Sequence, residues 1–169
     1  MSGRVLVAGI GNVFLGDDGF GVEVVRRLGS GTASSGLPDG VDVVDYGIRG
    51  VHLAYDLLDD PPDTLVLVDA VPLDGPPGTL AVLEVPDRTA GDGPVPAVDG
   101  HGLHPDAVLR LLRGLGGSVR RVLVVGCAPA AVDPGMALSA PVAAAVDGAV
   151  RLVREVAGRA AEEARVPAG

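Results

Sequence analysis

Three residues that lie far apart in the chain carry side chains that could do chemistry together: Asp18, Asp69 and His101. Two carboxylates and one imidazole in a single crevice would form a site for a divalent metal or a site for acid and base catalysis. Oxygen and imidazole ligands suit zinc, nickel or cobalt, and three protein ligands would leave coordination positions open for water or for a partner's group. The first question is which elements could bring the three together.

The apolar runs of the chain predict strands that alternate with helices. Short Val- and Leu-rich runs suit strands that are buried on both faces of a sheet, and apolar residues at four-residue steps indicate helices. The predicted strands are 4–8, 41–45, 64–68, 79–85 and 121–125; the predicted helices are 17–28, 50–58, 105–115 and, with Ser139 as its N-cap, 140 to about 164. This alternation is typical of a parallel sheet covered by helices.

The fourth strand departs from that pattern. Only nine residues, 70–78, separate it from the third strand, whereas a parallel crossover needs a dozen or more. We therefore expect an antiparallel edge strand in an α/β fold of three layers, αβα, around a twisted, mostly parallel, five-stranded sheet. The chain has 169 residues and shows no internal repeat, so residues 1–169 are expected to form a single domain.

This fold would place the candidate residues at one edge, because ligands of open α/β sheets bind outside the carboxyl ends of the strands. Asp18 follows the first strand and Asp69 ends the third. His101 follows a loop of fifteen residues, 86–100, and reaches the same edge only if that loop folds back over it. Simpler roles stay open, since Asp17 or Asp18 could cap a helix and Asp69 could be a turn residue.

Composition excludes several classes of function. The net charge is −9, the sequence contains no Lys and no long basic cluster is present, which argues against binding to nucleic acid or to anionic membranes. Cys127 is the single cysteine, so no internal disulfide can form, as is usual in a reducing compartment. The N-terminus lacks the organisation of a signal peptide. We expect a cytoplasmic protein.

Three other kinds of site have partial support. The run from Gly9 to Gly16 resembles a dinucleotide-binding turn, and Asp45 lies where a ribose-binding acid would lie, but the third glycine comes too late for G-x-G-x-x-G. A receiver-like signalling domain shares the acidic pair and the later Asp, yet uses a Lys that this chain lacks. Cys127 could be a nucleophile beside a His, although a small buried residue is the simpler interpretation.

Four segments resemble the hydrogenase maturation endopeptidases: GIGNVFLGDDGFGVEVV, LVLVDAV, HGLHPDAVL and GCAPAAVDPGMALSAPVAAAV. The resemblance covers essentially the whole chain, with the segments in the family's order. It implies a twisted five-stranded sheet between helices. It also implies a peptidase that removes the C-terminal extension from the large subunit of a nickel–iron hydrogenase after nickel has been inserted.

The resemblance also implies roles for particular residues. By motif alignment Asp18, Asp69 and His101 bind the metal, and Asp18 and Asp69 act in catalysis as in an aspartic endopeptidase. Asp17 is then a cap or a support for the site, and His104 is out of register for the ligand. The metal is the nickel of the precursor, for which other divalent metals could substitute, and no organic cofactor is expected. The expected partner is the hydrogenase precursor, and the expected state is a monomer.

One segment departs from the family pattern. Relatives often have D-G-G-T after the second strand, whereas this chain has Asp45-Tyr-Gly-Ile-Arg-Gly50. The segment borders the predicted site, so the choice of substrate could differ. Arg49 could contact an acidic or C-terminal part of a substrate, although an exposed, solvated Arg is the simpler interpretation.

Overall fold

A computed structural model describes residues 4–29, 36–85 and 105–165. The strands in these ranges are β1 (Val5–Ile10), β2 (Val41–Gly47), β3 (Thr64–Ala70), β4 (Leu80–Val85) and β5 (Arg121–Cys127). The α-helices are α1 (Phe20–Gly29), α2 (Gly50–Asp59), α3 (Pro105–Gly114) and α4 (Ala140–Arg165), and a 3-10 turn, Gly16–Gly19, precedes α1. None of these helices combines the length and the apolar character needed to cross a membrane.

The strands form one five-stranded sheet in the order β2-β1-β3-β5-β4. The first four strands in this order run parallel to one another, and β4 pairs with β5 in the antiparallel direction. The predicted antiparallel edge strand is therefore confirmed. The short connection 71–79 determines this direction, because it is too short to return the chain to the amino ends of the parallel strands, where another parallel strand would begin.

Two apolar cores lie on opposite faces of the sheet and make the fold three-layered. On one face, α1 and α4 pack through Phe20 and Val153 against Val66 of β3. On the other face, residues of α2 and α3 pack against the sheet, with Leu53 and Leu112 fully or almost fully buried. Burial of each such side chain contributes about 1.5–3 kcal/mol, so large aliphatic side chains can supply a core with almost no aromatic residues.

Two predicted boundaries differ from the structure in ways that affect the site. The helix predicted from residue 17 begins at Phe20, because Gly16–Gly19 forms the tighter 3-10 turn that carries Asp17 and Asp18. The third strand, predicted as 64–68 with Asp69 at its end, extends to Ala70, so Asp69 lies within β3 and pairs with Gly126 of β5. The other boundaries differ by one or two residues.

Glycine lets α1 approach the sheet closely. A Cβ on Gly21 would lie 2.1 Å from the carbonyl oxygen of Val68 and 2.6 Å from that of Ile10, so no side chain fits there. A Cβ on Gly9 of β1 would in turn lie 2.6 Å from the carbonyl oxygen of Gly21. This close packing holds the first turn of α1, and the 3-10 turn before it, at the carboxyl ends of β1 and β3.

We expect Gly21→Ala to lower the free energy of unfolding by about 1–3 kcal/mol or more, because the added methyl group must displace backbone carbonyls. Gly29→Ala in the same helix is the matched control, since a Cβ there has no neighbour within 4 Å. Urea unfolding followed by circular dichroism measures both variants. Equal stability of the two would contradict the close approach of α1.

Candidate active site

The carboxylate of Asp69 is buried at the carboxyl edge of the sheet. Only 2% of the residue is exposed, and its Oδ1 atom has no hydrogen-bond partner among the described residues. A buried polar atom without a partner costs about 1–3 kcal/mol. Such an atom is uncommon in a folded protein, so its position at the edge where α/β proteins bind ligands indicates a functional group.

The 3-10 turn holds Asp18 at the same edge. The N–H of Asp18 donates to the carbonyl oxygen of Leu15 (3.1 Å), which closes the turn. The N–H of Asn12 donates to Oδ2 of Asp18 (2.8 Å), and Oδ1 of Asn12 accepts from the N–H of Phe14 (2.9 Å). Asn12 thus folds the loop after β1 on itself and fixes one oxygen of Asp18.

Gly11 lies between the two acids and allows them to be close. A Cβ at this position would lie 2.0 Å from the carbonyl oxygen of Asp18 and 3.5 Å from Oδ1 of Asp69. Its φ of +134° is also one that residues with a side chain rarely adopt. The structure therefore brings the predicted residues Asp18 and Asp69 together, with only glycine backbone between them.

The proximity of the two carboxylates makes it costly for both to be charged. Burial raises the pKa of Asp69 well above its ordinary value of 3.8, and the charge of Asp18 raises it further. A hydrogen bond from the N–H of Ala70 opposes these effects only in part. Two such carboxyl groups can share a proton, which suits acid and base chemistry, or can be neutralised together by a cation.

A divalent cation fits this pair but would need further ligands. Within residues 4–29, 36–85 and 105–165, no group of three or more His, Cys, Asp or Glu side chains could hold a metal. The third predicted ligand, His101, and the neighbouring His104 lie outside the described residues. Their assignment stays a prediction, and the described part of the site supplies two carboxylates.

Asp17 ties the loop that carries Asp18 to the loop before α4. Its Oδ2 accepts hydrogen bonds from the N–H of Ala130 (2.8 Å), the N–H of Ala131 (3.0 Å) and the hydroxyl of Ser139 (2.8 Å), and its Oδ1 accepts from the N–H of Ser139 (2.7 Å). Burial alone would raise the pKa of Asp17, but these hydrogen bonds outweigh it and lower the pKa. Asp17 is thus a support for the site, and the hydroxyl of Ser139 bonds to it.

Cys127, a candidate nucleophile from the sequence, and His52 are not part of this chemistry. Cys127 is fully buried, and burial together with the charge of Asp17 raises the pKa of its thiol to about 11. Its thiol is therefore protonated at neutral pH and is a poor nucleophile. His52 is exposed on α2.

Arg49 lies beside the site and is held by the backbone. Its Nη2 donates to the carbonyl oxygen of Asp45 (2.8 Å), and its Nε donates to that of Tyr46 (3.3 Å). The hydroxyl of Tyr46 donates to Oδ2 of Asp56 (2.7 Å), which joins the end of β2 to α2. Arg49 is exposed, as the simpler interpretation expected, and two carbonyl groups orient its side chain.

Known proteins share this arrangement of elements. A family model described as hydrogenase maturation protease matches residues 22–156. The hydrogenase 2 maturation protease of Escherichia coli is 32% identical over 156 residues, which cover 89% of this chain and 88% of that protein. The chain belongs to the hydrogenase maturation protease family. The hydrogenase expression/formation protein HupD of Rhodobacter capsulatus is 35% identical and covers 90% of this chain and 71% of its own length.

Solved structures of maturation proteases have the same fold. The hydrogenase maturating endopeptidase HybD from E. coli superposes with a TM-score of 0.67 at 29% identity, covering 90% of this chain and 91% of its own. The hydrogenase 2 maturation peptidase from a Thaumarchaeota archaeon gives a TM-score of 0.65 at 35% identity, covering 92% and 98%. The protein is therefore a peptidase of this family, and the dinucleotide-binding and receiver-like alternatives are set aside.

Sequence reasoning missed the partners of Asp17 and the role of Gly11. The residues that Asp17 binds are 113 to 122 positions away in the chain, and no local pattern marks them. Gly11 was visible only as one glycine of a loop. The acidic pair was the one sequence feature that pointed to these contacts, because two adjacent acids beside a buried strand must each find a partner.

We expect Asp17→Asn to lower the free energy of unfolding by about 2–4 kcal/mol at pH 7, because an amide cannot accept all the hydrogen bonds that a carboxylate accepts. Ser139→Ala removes only one donor and should cost about 1 kcal/mol. Because the pKa of Asp17 is lowered on folding, its contribution is present above its ordinary pKa of 3.8 and is lost as the pH falls through the folded value. Urea unfolding from pH 7 to pH 3 measures this; a constant gap between wild type and Asp17→Asn would contradict it.

We expect Asp69→Asn to raise the free energy of unfolding by about 1–3 kcal/mol at pH 7, because it removes a buried charge next to Asp18. Because folding raises the pKa of Asp69, the charged carboxylate destabilises the folded wild type at pH values above the folded-state pKa. The stability advantage of the variant should therefore shrink as the pH falls towards 3.8, the ordinary pKa. Urea unfolding with a chelator present measures it. Asp59→Asn, an exposed acid on α2, is the control and should change little. Destabilisation of Asp69→Asn at pH 7 would contradict the repulsion.

Proposed function

We propose that this peptidase removes the C-terminal extension of the large-subunit precursor of a nickel–iron hydrogenase once nickel has been inserted, and that it recognises the nickel in the precursor. Asp18, Asp69 and His101 would complete the coordination of that nickel and thereby position the scissile peptide. The nickel belongs to the substrate, so the peptidase requires neither its own tightly bound metal nor an organic cofactor.

One observation carries this proposal. Oδ1 of Asp69 is buried, has no hydrogen-bond partner among the described residues and lies beside the backbone of Asp18 across Gly11. A cation at this point would supply the missing partner for Oδ1 and offset the repulsion between the two carboxylates. Carboxylate oxygens together with an imidazole are suitable ligands for a borderline divalent metal such as nickel.

The placement of His101 is supported by the helix that follows it. His101 is four residues before Pro105, where α3 begins. Residues 115–120 connect the end of α3 to the first residue of β5, at the amino edge of the parallel strands. A helix packed along the sheet in this direction begins towards the carboxyl edge, so an imidazole just before it is suited to join Asp18 and Asp69.

The proposed reaction is hydrolysis of one peptide bond. A water oxygen attacks the carbonyl carbon, the C–N bond breaks, and a proton from the water passes to the departing amine. The water is activated either by the nickel of the precursor or by a carboxylate that acts as base. Asp69 is suited to be that base, because its carboxyl group is buried at the site beside Asp18 and its Oδ1 has no hydrogen-bond partner among the described residues.

This arrangement explains why cleavage would wait for nickel. A precursor without nickel has no anchor for the two carboxylates, and its scissile bond is not positioned for attack. Nickel insertion is then the signal for processing, and the chemistry depends on a group that the substrate brings.

We expect Asp18→Asn, Asp69→Asn and His101→Ala each to lower the rate of cleavage of a nickel-loaded precursor by about 100-fold or more, because each removes a proposed nickel ligand. Single-turnover cleavage followed by mass spectrometry measures the rate and the cut site. His52→Ala, an exposed histidine on α2, is the matched control and should cleave at the wild-type rate. Wild-type activity in all three variants would contradict the site, and equal cleavage of nickel-free precursor would contradict recognition of nickel.

A further inference from the structure

A groove with a volume of about 380 Å³ lies beside the carboxylate pair. One wall is the loop after β1, from Gly11 to Phe14, and the other is the segment from Asp45 to Arg49. Gly11 and Asn12 contact the site directly, because Gly11 separates the two acids and Asn12 donates to Asp18. The groove and the candidate active site thus share one wall.

The rim of this groove exposes two large apolar side chains. Phe14 and Ile48, one on each wall, are 61% and 65% exposed. Most large apolar side chains in the described ranges are buried, including the other described phenylalanine, Phe20. Two exposed apolar side chains that line the same groove mark a surface for binding.

The groove also carries a positive charge that has no ion-pair partner among the described residues. Arg26 lies 3.8 Å from Oδ2 of Asp45, so those two charges offset each other. Arg49 makes no ion pair with any described residue within 4.0 Å, and its two oriented hydrogen bonds go to neutral carbonyl groups. The chain as a whole has a net charge of −9, so a cation held in a groove next to the site is suited to attract an anionic group.

We infer that this groove binds the C-terminal extension of the precursor, the segment that follows the scissile bond. An apolar side chain of the extension would pack against Phe14 and Ile48, and an acidic side chain or the terminal carboxylate would bind Arg49. This inference rests on the proposed function, since it names the part of the substrate that the groove takes. The apolar contact and the charge together select an extended segment that carries both groups.

The test compares cleavage kinetics in rim variants. Phe14→Ser combined with Ile48→Ser should raise KM for a nickel-loaded precursor about tenfold and leave kcat within about twofold, because the contact binds substrate without touching the reacting atoms. Val82→Ser combined with Leu83→Ser is the matched control, since these residues of β4 are 41% and 42% exposed at the far edge of the sheet. The control should have wild-type KM.

Arg49 is tested separately. Arg49→Gln should raise KM by about three- to tenfold and should weaken the dependence of KM on salt, because the charge contact is lost. Arg151→Gln on the exposed face of α4 is its control. A truncated precursor that ends at the cleavage site should bind the wild type and the rim variants equally, because it lacks the segment that the groove takes.

The outcomes separate this inference from the proposed function. If the wild type cleaves and KM is unchanged in the rim variants, the groove assignment is wrong and the proposed function stands. If the wild type does not cleave, the proposed function is wrong, and direct binding of the full-length precursor to immobilised wild type and rim variants decides the groove. Equal binding of both, or no binding to the wild type, would overturn the groove assignment.

Discussion

The carboxylate of Asp17 joins two loops that lie more than a hundred residues apart in the chain. It accepts hydrogen bonds from the backbone of Ala130, Ala131 and Ser139 and from the hydroxyl of Ser139, all in a buried position. A charge buried this way is tolerated because neighbouring donors replace the water that it loses. The turn that carries Asp18 is therefore held by the loop before α4, and the geometry of the site depends on this interaction.

Asp69 shows the opposite balance. Oδ1 of Asp69 has no partner among the described residues, and burial, followed by the charge of Asp18, raises the pKa of this carboxyl group. Two acids at the same edge of the sheet thus have different roles. Asp17 accepts hydrogen bonds on both carboxylate oxygens and supports the structure, whereas Oδ1 of Asp69 has no hydrogen-bond partner among the described residues. Sites that bind or react often keep such unfavourable groups, and the surrounding fold supplies the stability that they cost.

Much of this could be predicted from the sequence because the signals are local. Buried Val- and Leu-rich runs indicated all five strands, and the short predicted connection 70–78 indicated that β4 is antiparallel. The position of Asp18 and Asp69 at one edge followed from the parallel order of the strands. The choice of Asp18 as the ligand and Asp17 as the support came only from the family resemblance, because both acids occupy the same turn.

The remaining features depend on contacts between distant parts of the chain. Nothing near Asp17 in sequence indicates that its partners lie between Ala130 and Ser139, and the close approach at Gly11 needs the coordinates of both acids. The helical start predicted at residue 17 was wrong because these distant hydrogen bonds stabilise a 3-10 turn over Gly16–Gly19. His101 stays a prediction, since it lies outside the described residues.

The most direct test of the proposed site is the coordination of nickel in the precursor before and after the peptidase is added. X-ray absorption at the nickel edge, on rapidly frozen mixtures whose complex is verified by size-exclusion chromatography, reports the ligands around the metal. We expect additional oxygen or nitrogen ligands on mixing with the wild type, and fewer with Asp69→Asn. An unchanged nickel spectrum in a verified complex with the wild type would contradict the claim that Asp18 and Asp69 bind the nickel of the precursor.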